Sequence, residues 1–288
     1  MTKSIETLTE DIYSLFTSGD NVTLKQEDID KLGKDLATVI ASVLSEKRSE
    51  DNKLRLSQIG KPNRRIWYDL NTKSDKKEQI DGATYIKFLY GHILEELLVF
   101  LCRAAGHEVT EQQKEVTVGG VLGHKDGRVD GTLVDFKSAS SYSFKKFVSG
   151  EFTEKDPFGY IPQLSAYATD GDDKGGAFVV IDKTTGEIAV CPLHQMDMID
   201  AEARVKEIKS TLTLEQPPEK CFDDRPEGQG GNRALDFGCV YCPHKFDCWA
   251  DCNNGAGLRI FKYSNGIKYL TAVPKLPKVE EITQAVTS

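Results

Sequence analysis

Positive charge is in short supply. Lys and Arg number 37 against 45 Asp and Glu, for a net charge of −8, so no overall basic field draws the chain toward nucleic acid or anionic lipid. Only a local basic groove on an acidic body remains open. No apolar run approaches the ~20 residues that span a bilayer, and the opening MTKSIETLTEDIYSLF is too acidic for a secretory signal. A cytoplasmic protein with no membrane partner is therefore expected. In that reducing setting the seven cysteines are not expected to form disulfides. Internal repeats are absent. The 39% hydrophobic and 28% charged composition suits an ordinary globular chain, long enough for one large domain or two modest ones.

Residues 1–54 read as an N-terminal helical segment. TLTEDIYSLF and DIDKLGKDLATVIASVLSEK carry apolar residues at helical spacing, and Asp28 is placed as the cap of the second. Residues 55–215 read as the main domain. It includes a long, mostly buried helix over 83–107 ended by Gly106, then short strands over 108–140 broken by Gly-Gly and Asp-Gly. Helices follow over 160–171 and 196–214, with a hairpin between them at 175–193 turning at Thr184–Gly186. This order predicts an α/β fold with a central mixed β-sheet flanked by helices. DGDDKGG at 170–176 has Ile181 where a calcium loop needs Glu, so it reads as a turn. Residues 216–256 form a small cysteine-rich module, and 257–288 are left as a C-terminal tail. Cys102 and Cys191 end up in apolar runs and read as core residues.

The stretch GHKDGRVDGTLVDFKSAS, residues 123–140, sets several acids close together. Asp130-Gly131 is a strong two-residue hairpin signal. With the turn there, Val129 faces Thr132, Asp126 faces Asp135 and His124 faces Lys137, all four of the latter on one side of the hairpin. Opposed carboxylates repel unless something binds them, and hard oxygen ligands favour magnesium or manganese. Lys137 then adds a point charge beside the metal-bound reactants, an arrangement suited to phosphodiester hydrolysis. The alternative is a hairpin whose charges simply face water.

Other residues converge on the same chemistry. Glu95 lies in an apolar helix, where a carboxylate is costly unless paired or metal-bound. Gln163 and Tyr167 are one helical turn apart and share a face. Arg64, Arg65, Trp67 and Tyr68 combine guanidinium groups and rings, which can hold phosphates and stack the bases of a single strand, or can pack as a helix onto the body of the protein. Ser138, Ser140, Ser141, Lys145 and Lys146 follow the second strand and could line the same groove. Cys221, Cys239, Cys242 and Cys248, with Cys252 as a substitute for Cys221, have the density of a soft-metal site. His244 is placed at the surface.

In five ordered stretches the chain resembles the PD-(D/E)XK nuclease superfamily, in its RecB-like exonuclease branch. They are RLSQIGKPNRRIWYDL (55–70), Gly91 to Glu95, Gly123 to Asp126, Asp135-Phe136-Lys137, and Gln163 to Tyr167. The resemblance implies a restriction-endonuclease-like core. Glu95, Asp126 and Asp135 would hold magnesium or manganese, Lys137 would serve the attacking water or the developing phosphate charge, and Gln163 and Tyr167 would support it. The implied activity is a DNA exonuclease acting on ends or single strands in recombination, replication or repair, and the compact form suits a phage or mobile element. The alternatives are a structure-selective or site-specific endonuclease and a non-catalytic DNA-binding subunit. Cys242-Pro243 and Cys248-Trp249 resemble the C-terminal iron–sulfur motif of the same branch. That branch takes one cysteine from the first stretch, where this chain has Pro62. A 4Fe–4S cluster and zinc therefore both stay open for the cysteine module.

Overall fold

The computed structural model describes residues 3–19, 22–45, 53–72, 82–154, 156, 158–171 and 173–282. The chain begins with helices α1 (Leu8–Thr17), α2 (Gln26–Ser45), α3 (Asn63–Asn71) and α4 (Gly82–Ala104). Strands β1 (Val109–Thr110), β2 (Lys114–Val118), β3 (Val121–Lys125), β4 (Gly127–Val129) and β5 (Thr132–Ala139) follow. Then come α5 (Ser141–Val148), α6 (Tyr160–Ala168), β6 (Gly175–Asp182), β7 (Ile188–His194) and α7 (Ala201–Leu212). The last part holds β8 (Arg225–Glu227), β9 (Asn232–Ala234), the one-turn helices α8 (Phe237–Val240) and α9 (Lys245–Cys248), β10 (Arg259–Tyr263), β11 (Gly266–Ala272) and β12 (Glu280–Ile282). Among the described residues, no helix is long and apolar enough to cross a membrane.

Two compact units result: Met1–Lys61 with Ile80–Lys209, and Pro62–Gln79 with Ser210–Ser288. The first is α/β, with a central mixed sheet in the order β1-β4-β5-β6-β7 and helices around it. Only β5 and β6 run parallel; their neighbours are antiparallel. A parallel pair needs a long crossover, and α5 and α6 lie in it. One side of the sheet buries Val134, Phe136, Val179 and Ile181 against Leu8 and Ile12 of α1 and Leu98, Val99 and Cys102 of α4. Phe178 instead meets an aromatic group of Phe147, Phe152 and Tyr160.

The hairpin turn falls at Asp130-Gly131, whose φ values of 49° and 81° are those of a two-residue primed turn. Val129 pairs with Thr132 and Gly127 with Val134. Asp130 has a second role. Its Oδ2 lies 2.6 Å from His107 Nδ1, and His107 Nε2 lies 3.1 Å from Asp11 Oδ2, with the His107 side chain wholly buried. The ring thus fastens α1 to the hairpin tip. In the 170–173 turn, Asp170 accepts from Lys125 at 2.8 Å and Asp173 takes two bonds from Arg128 at 2.8 and 2.7 Å. Asp170 and Asp173 are thus neutralised within the protein.

Glycine permits one crossing that shapes the site. A Cβ at Gly60 would stand 2.2 Å from Gly159 Cα, and one at Gly159 would stand 2.4 Å from Gly60 Cα. The segment preceding α3 can cross the start of α6 only because both residues lack side chains.

Several sequence expectations change. The helix over 83–107 is not mostly buried: Tyr85, Ile86, Phe88 and Tyr90 are exposed in its first half. The buried positions named for α4, Leu98, Val99 and Cys102, all fall in its second half, and an apolar run does not say how much of its length will be covered. Asp28 sits inside the first turn of α2 rather than capping it, and residues 46–47 of that predicted helix lie outside the described residues. The helix expected from 196 begins at Ala201.

The second unit carries an antiparallel sheet in the order β12-β10-β11-β9-β8. Residues 257–288, expected as a tail, supply three of its strands. Pro62–Gln79, read from sequence within the main domain, clusters with this unit. Leu235, Cys239, Trp249 and Leu258 form one small core, and Ala234, Phe261 and Leu270 another.

His107→Ala leaves two carboxylates without the ring that joins them. We expect a stability loss of about 3 kcal/mol, read as a lower urea midpoint with an unchanged far-ultraviolet dichroism spectrum.

Candidate active site and cysteine cluster

Four side chains from three places in the first unit approach one another. Asp135 and Lys137 stand two residues apart on β5, so they point the same way. Asp126 occupies the junction where the chain leaves β3 for β4. Its Oδ2 accepts a 2.8 Å hydrogen bond from the Phe136 backbone N–H, which fixes the carboxylate beside β5. Glu95 comes from α4, and its Oε1 accepts 2.9 Å from Gln113 Nε2. Asp135 is wholly buried. Lys137 Nζ lies 2.5 Å from Asp135 Oδ2. The ammonium thus occupies Oδ2, and Oδ1 is buried without a hydrogen-bond partner.

The opposite wall is α6. Tyr167 is 1% exposed and its hydroxyl accepts from Gln163 Nε2 at 3.3 Å. A Cβ at Gly123 would stand 2.7 Å from Leu56 Cβ and 3.0 Å from Tyr167 Cε1, so only glycine lets α6 come this near β3. The Tyr160 ring, one helical turn before Gln163, lies 4.8 Å from Lys137 Nζ.

Crowded acids in a dry place resist ionisation. Burial, then the charge on Glu96, then that on Asp135, push Glu95 up to about 7. Burial, followed by the charges of Asp135 and Glu95, raises Asp126 well above the ordinary range. Burial raises Asp135 too, against the pull of Lys137. Burial opposes the charge on Lys137, but Asp135 and Asp126 outweigh it and hold the ammonium above the usual lysine range. Burial pushes Tyr167 up to about 12.

Other predicted positions behave differently. His124 does not face Lys137. It pairs with Glu115 in the separate β2–β3 hairpin and is exposed. The chain changes sheets at Asp126-Gly127, where Gly127 has φ 153°, so the register of the central hairpin stops there. Ser138 lies against α4, where a Cβ on Gly91 would stand 3.7 Å from its Oγ. Ser140 caps α5, accepting from the Ser143 N–H at 3.4 Å. Lys145 is exposed on α5; Lys146 pairs with Glu151 at 3.2 Å and lies 4.9 Å from the Tyr142 ring. Gln113 and Tyr160 were not foreseen. Tyr160 had a signal, its i, i+3 spacing to Gln163; Gln113 had none beyond a polar stretch.

In the second unit, Cys221, Cys239, Cys242 and Cys248 are near enough for their charges to act on one another. Cys252 instead meets Asp251, Lys220 and Asn253. Burial pushes the Cys239 thiol up to about 12 and raises Cys221 and Cys242 as well. Arg64 Nε donates to Cys248 Sγ at 3.0 Å, and the other end of the guanidinium reaches Pro218 O. Arg65 Nε is buried without a hydrogen-bond partner. Trp67 Nε1 donates to Leu214 O at 3.0 Å, and Tyr68 stacks on His244 at 5.4 Å and 18°. Of the four residues expected at a nucleic-acid groove, Arg64, Trp67 and Tyr68 are thus engaged inside their own unit, and Arg65 lies near Cys221 and Cys242. His244, expected at the surface, is 1% exposed, with Nε2 2.8 Å from Asp69 Oδ1. Among the described residues, no three His, Cys, Asp or Glu side chains already stand at metal-holding spacing; both sets are neighbours rather than closed cages.

No family model matches the chain, and no curated protein matches it significantly. Among solved structures, the crystal structure of SSO0001 is similar over 75% of this chain and 93% of that one, with 18% identity and a TM-score of 0.43. The structure of LHK-Exo in complex with dAMP is similar over 63% and 92%, with 16% identity and a TM-score of 0.33. Likeness at this level is one of chain path and says nothing of chemistry.

Glu95 supplies a prediction with a definite sign. A carboxyl whose folded value is raised from 4.5 to about 7 costs stability as pH rises through that window, and the full cost is present above it. Glu95→Gln removes the charge. In chelator-treated protein the variant should be more stable by about 2–3 kcal/mol at pH 8 and show no gain near pH 4, as read by thermal melting.

Proposed function

We propose that the protein is a metal-dependent deoxyribonuclease of the PD-(D/E)XK, RecB-like kind, acting as an exonuclease on DNA ends or single strands. One observation carries the reading: Glu95, Asp126 and Asp135 gather around Lys137, while the wholly buried Asp135 has the lysine at Oδ2 and leaves Oδ1 without a hydrogen-bond partner. An orphaned buried carboxylate oxygen is costly, and a hard divalent cation is the partner that would relieve it and the repulsion among the three acids. The donor set therefore fits magnesium or manganese.

When bound, such an ion supplies Lewis acidity and an activated water. The protein's own groups do the rest. Glu95, Asp126 and Asp135 would hold the ion and so fix where the scissile phosphate sits. Lys137, kept charged by its acidic neighbours and steadied by the Tyr160 ring, orients the attacking water or stabilises charge growing on the phosphoryl oxygens. Gln163 and Tyr167 form the wall behind it. The four neighbouring thiols of Cys221, Cys239, Cys242 and Cys248 suit a soft metal, either a 4Fe–4S cluster or zinc. Arg64 and Arg65 beside them supply positive charge that four thiolates would need.

Asp126→Ala, Asp135→Ala and Lys137→Ala should each lower cleavage of end-labelled DNA with manganese by at least about 100-fold while leaving the melting curve cooperative. Products shortening from one end indicate an exonuclease. Discrete internal cuts indicate an endonuclease, and retention without cleavage a binding subunit. Full activity in all three variants would refute the site assignment.

For the cysteines, purified protein should carry iron with visible absorbance, or zinc by elemental analysis. Cys221→Ser should lose that metal and Cys252→Ser should keep it.

A further inference from the structure

We propose that the exposed ring of Phe158 is a stacking platform for a nucleobase of single-stranded DNA beside the scissile phosphate. This rests on the nuclease reading above and adds to it a subsite and a strand preference.

Three rings form a stack that runs outward from the aromatic core. Phe147 stacks on Tyr160 at 5.9 Å and 25°, and Tyr160 stacks on Phe158 at 5.4 Å and 25°. The inner member is buried, with Phe147 6% exposed, whereas Phe158 is 58% exposed. One side of its ring packs on Tyr160 while more than half of the residue stays open to solvent. The middle ring is also the one that lies 4.8 Å from Lys137 Nζ. The open end of the stack is therefore one ring away from the group assigned to the scissile phosphate.

Phe158 is also held in place. Asp156 accepts from the Gly159 and Ile161 N–H groups, both at 2.8 Å. Gly159, the next residue, is the one that the Gly60 backbone crosses without room for a Cβ. A ring presented on a pinned turn loses little freedom when it binds.

A flat apolar face next in sequence to parallel rings, beside a phosphate-binding ammonium group, calls for a flat aromatic ligand that carries a phosphate. A nucleobase has both features, and stacking accepts any base. Inside a duplex the base faces are covered by their neighbours, so the platform serves an unpaired strand.

The test measures binding, with calcium replacing the cleavage-supporting ion. The probes are a short fluorescent oligothymidylate, an abasic strand of equal length and a blunt duplex. Wild-type protein should prefer the oligothymidylate to the abasic strand. Phe158→Ala should weaken oligothymidylate binding by roughly 5- to 150-fold, Phe158→Trp should retain it with quenched tryptophan emission, and abasic and duplex binding should barely change. With manganese, Phe158→Ala should raise KM on single strands more than it lowers kcat. If wild-type protein binds the abasic strand as well as oligothymidylate, or Phe158→Ala binds oligothymidylate normally, the platform is refuted and the nuclease reading stands. If wild-type protein neither binds nor cleaves any of these DNAs, the nuclease reading fails and this subsite falls with it.

Discussion

The first unit is organised around an electrostatic conflict. Asp135 sits with no solvent exposure on a central strand, next to Lys137 and within reach of Asp126 and Glu95. One cation cannot neutralise three ionised acids in a place with little water, so burial, joined by mutual repulsion at Glu95 and Asp126, raises all three carboxyls toward their protonated forms. Hydrophobic packing sustains the cluster. β5 is paired on both sides, by β4 and β6, and Phe136, between the two polar residues, anchors the strand in the main core. A strand so firmly held can keep a carboxylate where it would not stay on a loop. The crossover that the parallel β5–β6 pair demands then brings α6 back with Tyr160, Gln163 and Tyr167.

The second unit poses a similar problem with the opposite outcome for its cations. The thiols of Cys221, Cys239 and Cys242 would each have to lose a proton to hold a metal, and burial resists that. α3 answers by directing Arg64 at Cys248 and placing Arg65 near Cys221 and Cys242. A basic, aromatic segment that looks like a phosphate binder thus supplies local charge compensation. Arg64 itself is occupied at both ends of its guanidinium.

Local rules made much of this legible. The Asp130-Gly131 turn follows from two residues whose backbone tolerates positive φ, the β6–β7 hairpin from its Thr-Thr-Gly turn, and the pairing of Gln163 with Tyr167 from helical spacing. What stayed hidden depends on which surface meets which. Residues 121–137 read as one hairpin arm and its return, because nothing in the alternation marks the change of sheet at Asp126-Gly127; the break is set by the β2–β3 pairing and by β1 docking onto β4. Composition could not say whether Arg64 and its neighbours face water or thiols. Spacing alone would favour Cys252, four residues past Cys248, over Cys221, eighteen residues before Cys239, whereas the fold brings Cys221 within electrostatic reach of Cys239, Cys242 and Cys248 and sets Lys220, Asp251 and Asn253 beside Cys252.

The change of sheet also bears on which ion the proposed centre would prefer. Had the hairpin continued through residue 124, an imidazole would have stood opposite Lys137 among the acids, and a nitrogen donor favours zinc or other borderline metals. The break sends His124 to pair with Glu115, and His92 is exposed on α4. Glu95, Asp126 and Asp135 are left as an all-oxygen set with an ammonium beside it. Oxygen donors that keep room for bound water suit an ion that dehydrates reluctantly and shares its coordination with substrate phosphate, which is the behaviour of magnesium. Soft thiols and hard carboxylates stand in different units, so neither proposed metal site would draw on the other's ligands.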